Sequence, residues 1–108
     1  GSAVNNIHDI KEAVATYTSR AAEKLRRQHS AASIISVFVV TKEENHNASF
    51  HHGVTHSRYA TLPAATSLTN ELIKPAVSLV DQLFKPGTVY KKAGVMLSGL
   101  VPDTSIQG

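Results

Sequence analysis

From Ile7 to Gln28 apolar residues recur at steps of three or four. Ile7, Ile10, Val14, Tyr17, Ala21 and Leu25 form one stripe, the spacing that gathers side chains on one face of an α-helix. Asn6 stands at the N-cap position and Asp9 puts negative charge in the first turn, while Lys24, Arg26 and Arg27 complement the other end. The pattern then changes. Ser33–Thr41 reads S-I-I-S-V-F-V-V-T, and its β-branched and aromatic density predicts a strand. Ile35, Val37, Val39 and Thr41 share the phase suited to burial; Ile34, Ser36, Phe38, Val40 and Lys42 share the other.

Residues 43–56 are polar, without a period, and contain a glycine, so they predict a loop. A weaker strand follows over Ser57–Thr66, where Tyr59, Thr61 and Pro63 alternate with Ala60, Leu62 and Ala64. Pro63 confines it to an edge or marks its end. A second helix is predicted over Thr69–Phe84, with Leu72, Ile73, Ala76, Val80, Leu83 and Phe84 as its stripe. Pro75 removes one backbone bond within it, which predicts a bend or a late start. Lys85-Pro86-Gly87 is a stop signal. Tyr90–Ser98 reads as a last strand with Ala93, Val95 and Leu97 on one face and Tyr90, Lys92, Gly94 and Met96 on the other; Gly99–Gly108 reads as an extended polar tail. The order α-β-β-α-β implies an α+β two-layer sandwich, an antiparallel sheet with two helices on one face.

Composition narrows the class. At 108 residues the chain is one small domain, and 42% hydrophobic residues with a mean hydropathy of −0.10 suit a soluble globular chain. No apolar run approaches the roughly 18 residues of a membrane helix, and no basic region followed by an apolar core marks a secretory leader. Gly1–Ser2 reads as an expression scar. The absence of cysteine excludes disulfide scaffolds, thiol nucleophiles and cysteine-based metal sites, and fits a reducing compartment. Eleven Lys and Arg against eight Asp and Glu leave a net charge of +3, a lean towards polyanions whose meaning depends on where the cations lie.

The candidate chemistry is sparse. His46, His51, His52 and His56 fall close together, and His52 with His56 has the i, i+4 spacing of a helical zinc pair. The segment around them is a poor helix, so solvated loop histidines are the better reading. The carboxylates show no catalytic pairing, and there is no nucleophile elbow or glycine-rich phosphate loop. This chain is therefore read as non-catalytic. Its basic residues suggest more: Lys91 and Lys92 lie on the last strand, Lys42 extends the exposed phase of the first, and Arg58 begins the second. An open sheet face with cations at its strand ends could follow a phosphate backbone, although lysines also keep strand edges soluble.

A-E-K-L-R-R at Ala22–Arg27, I-S-V-F-V, E-L-I-K, L-F-K-P-G and Y-K-K-A-G-V-M-L at Tyr90–Leu97 occur in that order. Together they resemble the C-terminal part of the Y-family translesion DNA polymerases of the UmuC type, over about residues 7–108. The resemblance implies a little-finger domain over residues 3–98, with 99–108 a linker leading towards a truncated clamp-binding peptide. That family's domain has the order β-α-β-β-α-β, so its first strand is expected to be missing or replaced by Ala3–Asn5. In a ferredoxin-like order that strand would be central, and its loss predicts dimerisation or a rearranged sheet.

The resemblance also implies a non-sequence-specific interface with a primer–template duplex. Lys91 and Lys92 match the family's basic pair and Ser36, Lys42 and Thr61 match outward positions; Arg58 is a further candidate, and at Met96 a basic contact of some relatives is lost. The metal-binding carboxylates of these polymerases lie in another domain, so neither cofactor nor magnesium is expected here. The full-length protein is expected to be a bacterial, cytoplasmic and nucleoid-associated DNA polymerase that meets the sliding clamp and a UmuD′-type partner. Ile106-Gln107-Gly108 carries no hydrophobic clamp anchor, so weak clamp binding by this route is expected. The competing reading is a protein-interaction or oligomerisation module, favoured by Phe38, Val40 and Met96 on the exposed face; a ferredoxin-like ligand-binding domain is a more distant one.

Overall fold

A computed structural model describes residues 5–42 and 53–103. Its elements are α1 (Ile7–Arg27), β1 (Ser30–Thr41), β2 (Thr55–Thr66), α2 (Thr69–Leu83), β3 (Tyr90–Ser98) and a short β4 (Val101–Pro102). The sheet runs β2-β1-β3, every pairing antiparallel, and the core lies between it and the two helices. This is the α+β sandwich implied by the residue pattern. β1 occupies the centre of the sheet and is paired along both edges. Its β-branched and aromatic residues suit that central place.

The Asn6 side chain caps α1 by accepting the His8 N–H at 2.7 Å. The buried stripe of α1 is Ile10, Val14, Thr18, Ala22 and Leu25, so Thr18 and Ala22 replace the expected Tyr17 and Ala21. Tyr17 is exposed. Thr18 tolerates burial because its hydroxyl donates to the Val14 carbonyl at 2.7 Å. Small side chains along this line let α1 approach α2. Lys11 pairs with Asp81 at 2.7 Å between the helices. Where α1 ends, Arg26 Nη1 donates to the Ser67 carbonyl at 2.7 Å and to Thr69 Oγ1 at 3.0 Å, tying its last turn to the start of α2.

β1 begins at Ser30, three residues before the predicted start, and β2 at Thr55. The phases of β1 fall as read: Ile35, Val37 and Val39 are buried beneath the helices. β2 is an edge strand, the position its proline requires. Between Ala32 and Ile34 the ladder passes from Thr66 to Thr61, so β2 bows outward around Pro63, which has no N–H to offer. α2 continues helically through Pro75 from Thr69. Leu79 joins its buried face, whereas Ile73 and Phe84 are only partly covered.

The largest departure lies in β3. Val40 pairs with Lys92, but the next residue, Thr41, pairs with Tyr90, leaving Lys91 as an extra residue in a bulge. The bulge breaks the alternation, so Tyr90 turns inward and is 1% exposed instead of sharing the outer face with Lys92. Its hydroxyl accepts the Lys85 N–H at 2.9 Å and donates to the Leu83 carbonyl at 3.4 Å, and its ring packs on Phe84 at a centroid distance of 5.7 Å.

Beyond Ser98 the chain stays with the sheet. Gly99 (φ 63°) turns it, and β4 pairs with Ser30 and Ala31 as a continuation of β3 along β1. A β-carbon at Gly99 would meet Ser33 Oγ at 2.3 Å.

Candidate nucleic-acid interface

The face of the sheet away from the helices is built in rows across the three strands. Cross-strand partners share a face, so the outward phase of β1 identifies the outward residues of its neighbours. The rows are Thr55–Val40–Lys92, Ser57–Phe38–Gly94, Tyr59–Ser36–Met96 and Thr61–Ile34–Ser98. At about 3.3 Å per residue, the row of Lys92 lies about 13 Å from the row of Ser36.

Charge is confined to one end. Lys92 is exposed in the first row, Lys91 is exposed at the bulge beside it, and Lys42 follows the last residue of β1. The Lys42 N–H donates to the Val89 carbonyl at 2.8 Å, which fixes its backbone beside the start of β3. Every described carboxylate lies elsewhere: Asp9, Glu12 and Glu23 on α1, Glu71 and Asp81 on α2, and Asp103 after β4. Among the described residues, the outward rows hold cations and neutral groups only.

The predicted site residues therefore divide. Ser36, Thr61 and Lys92 share the open face, with Lys42 and Lys91 at its end. Arg58 does not join them: it pairs with the buried Val37 and so belongs to the helix-side phase of β2. Its place at the start of a strand suggested the open face, but the phase of β2 shows only in its register with β1. Of the four clustered histidines, His46, His51 and His52 lie outside the described residues, and His56 stands within β2 opposite Val39 instead of in a loop. No group of three or more metal-ligating side chains occurs among the described residues.

Sequence reasoning passed over Tyr59. It is 70% exposed and Met96 62% exposed, one on each side of Ser36. The signal was available, because Tyr59 alternates in phase with Thr61, which was assigned outward. Phe38 is less exposed since it leans over Gly94, where no side chain competes for the space.

The whole chain, residues 1–108, matches the family described as the impB/mucB/samB family C-terminal domain. The chain belongs to that family. It is 36% identical over 97 residues to Protein UmuC of Salmonella typhimurium, covering 90% of this chain and 22% of that protein. Protein MucB of Escherichia coli is 32% identical over 103 residues, covering 91% of this chain and 22% of that protein. Protein SamB of Salmonella typhimurium is 32% identical over 107 residues, covering 94% and 23% respectively. The chain thus spans about a fifth of the length of these curated relatives. The membership agrees with the resemblance to UmuC-type translesion polymerases read from A-E-K-L-R-R and Y-K-K-A-G-V-M-L, and the sandwich is compatible with a little-finger domain. No described helix is long and apolar enough to cross a membrane.

Proposed function

We propose that this domain holds duplex DNA for a translesion polymerase by laying its open sheet face along the phosphate backbone. The observation that carries the reading is the charge asymmetry of that face: Lys42, Lys91 and Lys92 gather at one end, and no described carboxylate opposes them. Ser36 and Thr61 add neutral hydrogen-bond donors along the same surface. Phosphate contacts of this kind set position and carry no sequence information. With so few cations the isolated domain binds weakly, on the order of the 10⁻⁴–10⁻⁶ M of non-specific association. Tethering to other domains raises the effective concentration enough for such contacts to suffice.

In this reading residues 3–98 are the DNA-binding unit, 99–108 begin the connection towards a clamp-binding peptide, and the domain itself is non-catalytic. Nucleotidyl transfer, the sliding clamp and a UmuD′-type partner belong to the full-length protein, acting at the nucleoid in the bacterial cytoplasm. The test is fluorescence anisotropy of a labelled primer–template duplex titrated with the domain over a range of salt. A log–log slope of about −2 to −4 is expected, near 0.9 for each neutralised phosphate. Absence of binding at low salt by the folded domain would overturn the reading.

The exposed Tyr59 and Met96 favour a second reading, an apolar interface with another protein or a second copy of the chain. Salt separates the two, because an apolar contact does not weaken as salt rises. Sedimentation tests self-association directly.

A further inference from the structure

The register of β2 leaves Arg58 and His56 on the helix side of the sheet edge, opposite Val37 and Val39. That side of β2 faces the end of α2, and at the sheet edge they border an open cleft of about 560 Å³ lined by His56, Arg58, Gln82 and Lys85 and, from the outward phase of β2, by Thr55, Ser57 and Tyr59. Its volume lies within the range of small-ligand sites.

Several features make this more than a surface with two cations. Lys85 sits on a fixed backbone: its N–H donates to Tyr90 Oη at 2.9 Å and its carbonyl accepts the Thr88 N–H at 3.1 Å. Arg58 is held from the other wall by the ladder to β1. Among the described residues no carboxylate lines the cleft. The neighbouring Asp81 is engaged by Lys11 at 2.7 Å, and among the described residues neither Arg58 nor Lys85 has an ion-pair partner. A guanidinium fork, an ammonium, an imidazole and a carboxamide bordering one cleft suit a group with several acceptor oxygens and more than one negative charge.

We propose that this cleft is a phosphate-binding site at the free edge of strand β2, with its cations on the helix side. Arg58 takes two phosphate oxygens through its fork, Lys85 supplies the compensating charge, and Gln82 and His56 complete the donor set. The phosphate comes either from a nucleic-acid strand passing round the sheet edge or from a free phosphorylated small molecule. The chemistry at the cleft is the same for both.

Titration of the isotope-labelled domain with inorganic pyrophosphate, followed by amide NMR, tests the site. Saturable shifts are expected at His56, Arg58, Gln82 and Lys85. Arg58→Ala and Lys85→Ala should each weaken binding about tenfold or more, while Arg20→Ala, at an exposed cation of α1, leaves it unchanged. Arg58→Gln, which keeps most of the side-chain stem, serves if the alanine variant is unfolded. A second arm repeats the duplex salt titration with Arg58→Gln/Lys85→Ala. A slope shallower by about 1–2 assigns the site to a DNA strand; an unchanged slope, with pyrophosphate bound by the unsubstituted domain and lost in the double variant, assigns it to a small phosphorylated ligand. Shifts that do not saturate, or that persist in both single variants, overturn the proposal. The pyrophosphate arm is read at Arg58, Gln82 and Lys85 and not at Lys91 or Lys92, so it can fail or succeed independently of the DNA reading.

Discussion

The ring of Phe38 lies across Gly94. The two residues are partners in the ladder between β1 and β3, and a β-carbon built on Gly94 would sit 2.2 Å from Phe38 Cζ. A glycine inside a strand ordinarily weakens it, having no side chain to pack. Here the aromatic ring of the neighbouring strand covers the bare backbone and is itself shielded on a face that lacks a helix layer.

Gly94→Ala should therefore displace the Phe38 ring and cost about 1–3 kcal/mol, the range for overpacking. Urea unfolding measures the loss. In a Phe38→Leu background the same substitution should cost clearly less, giving a favourable coupling energy in a double-mutant cycle. Equal costs in both backgrounds would mean that the ring does not set the constraint.

For DNA binding the decisive variant is Lys91→Ala/Lys92→Ala. If each lysine neutralises one phosphate, the salt slope should fall by about 1.8. Both residues are exposed, so thermal stability should change little. A lower affinity with an unchanged slope would place the defect outside the phosphate contacts.

Arg26 predicts a stability effect away from the open face. Its guanidinium joins the Ser67 carbonyl and Thr69 Oγ1 to the last turn of α1, and a charged hydrogen bond contributes about 1.5–3 kcal/mol. Arg26→Ala should lower the unfolding free energy by roughly that amount, with DNA affinity per folded molecule preserved. Chemical denaturation together with anisotropy distinguishes this from a binding defect.

His29 offers a stabilising change. It follows the α1 cap with φ 53°, in the left-handed region that is costly for a residue with a β-carbon. Its carbonyl accepts the Asp103 N–H at 2.8 Å, a bond that requires no side chain. His29→Gly should raise stability by about 0.5–1 kcal/mol, the conformational relief exceeding the added freedom of the unfolded chain. Differential scanning calorimetry would show a higher Tm.

Much of the fold is legible in periodicity because burial on one side imposes a period directly. The α1 stripe, the inward phase of β1 and the stop at Lys85-Pro86-Gly87 follow from that rule. The exchange of Tyr17 and Ala21 for Thr18 and Ala22 does not, since a hydropathy stripe counts Thr18 as polar and cannot see its bond to Val14. Nor is the Lys91 bulge visible: an extra residue changes phase without changing composition. The candidate site divides for the same reason. Ser36 and Thr61 could be placed by alternation, whereas Arg58 lies in a strand whose own pattern is weak, so its face emerges only from pairing with Val37. The continuation into β4 depends on a turn at Gly99, which resembles the start of any tail.

The bulge lets one stretch of β3 serve both sides of the sheet. Tyr90 and Lys92 stand two residues apart and would share a face in a regular strand; the extra Lys91 between them sends the ring into the core and leaves the ammonium on the open side. A straightened ladder through the same three residues would turn Tyr90 outward beside Lys92, whereas loss of Lys91 would leave the two successive and on opposite faces by alternation alone. The interior anchor and the exterior cation are thus kept apart by the irregularity of the strand, not by the identity of the residue within it.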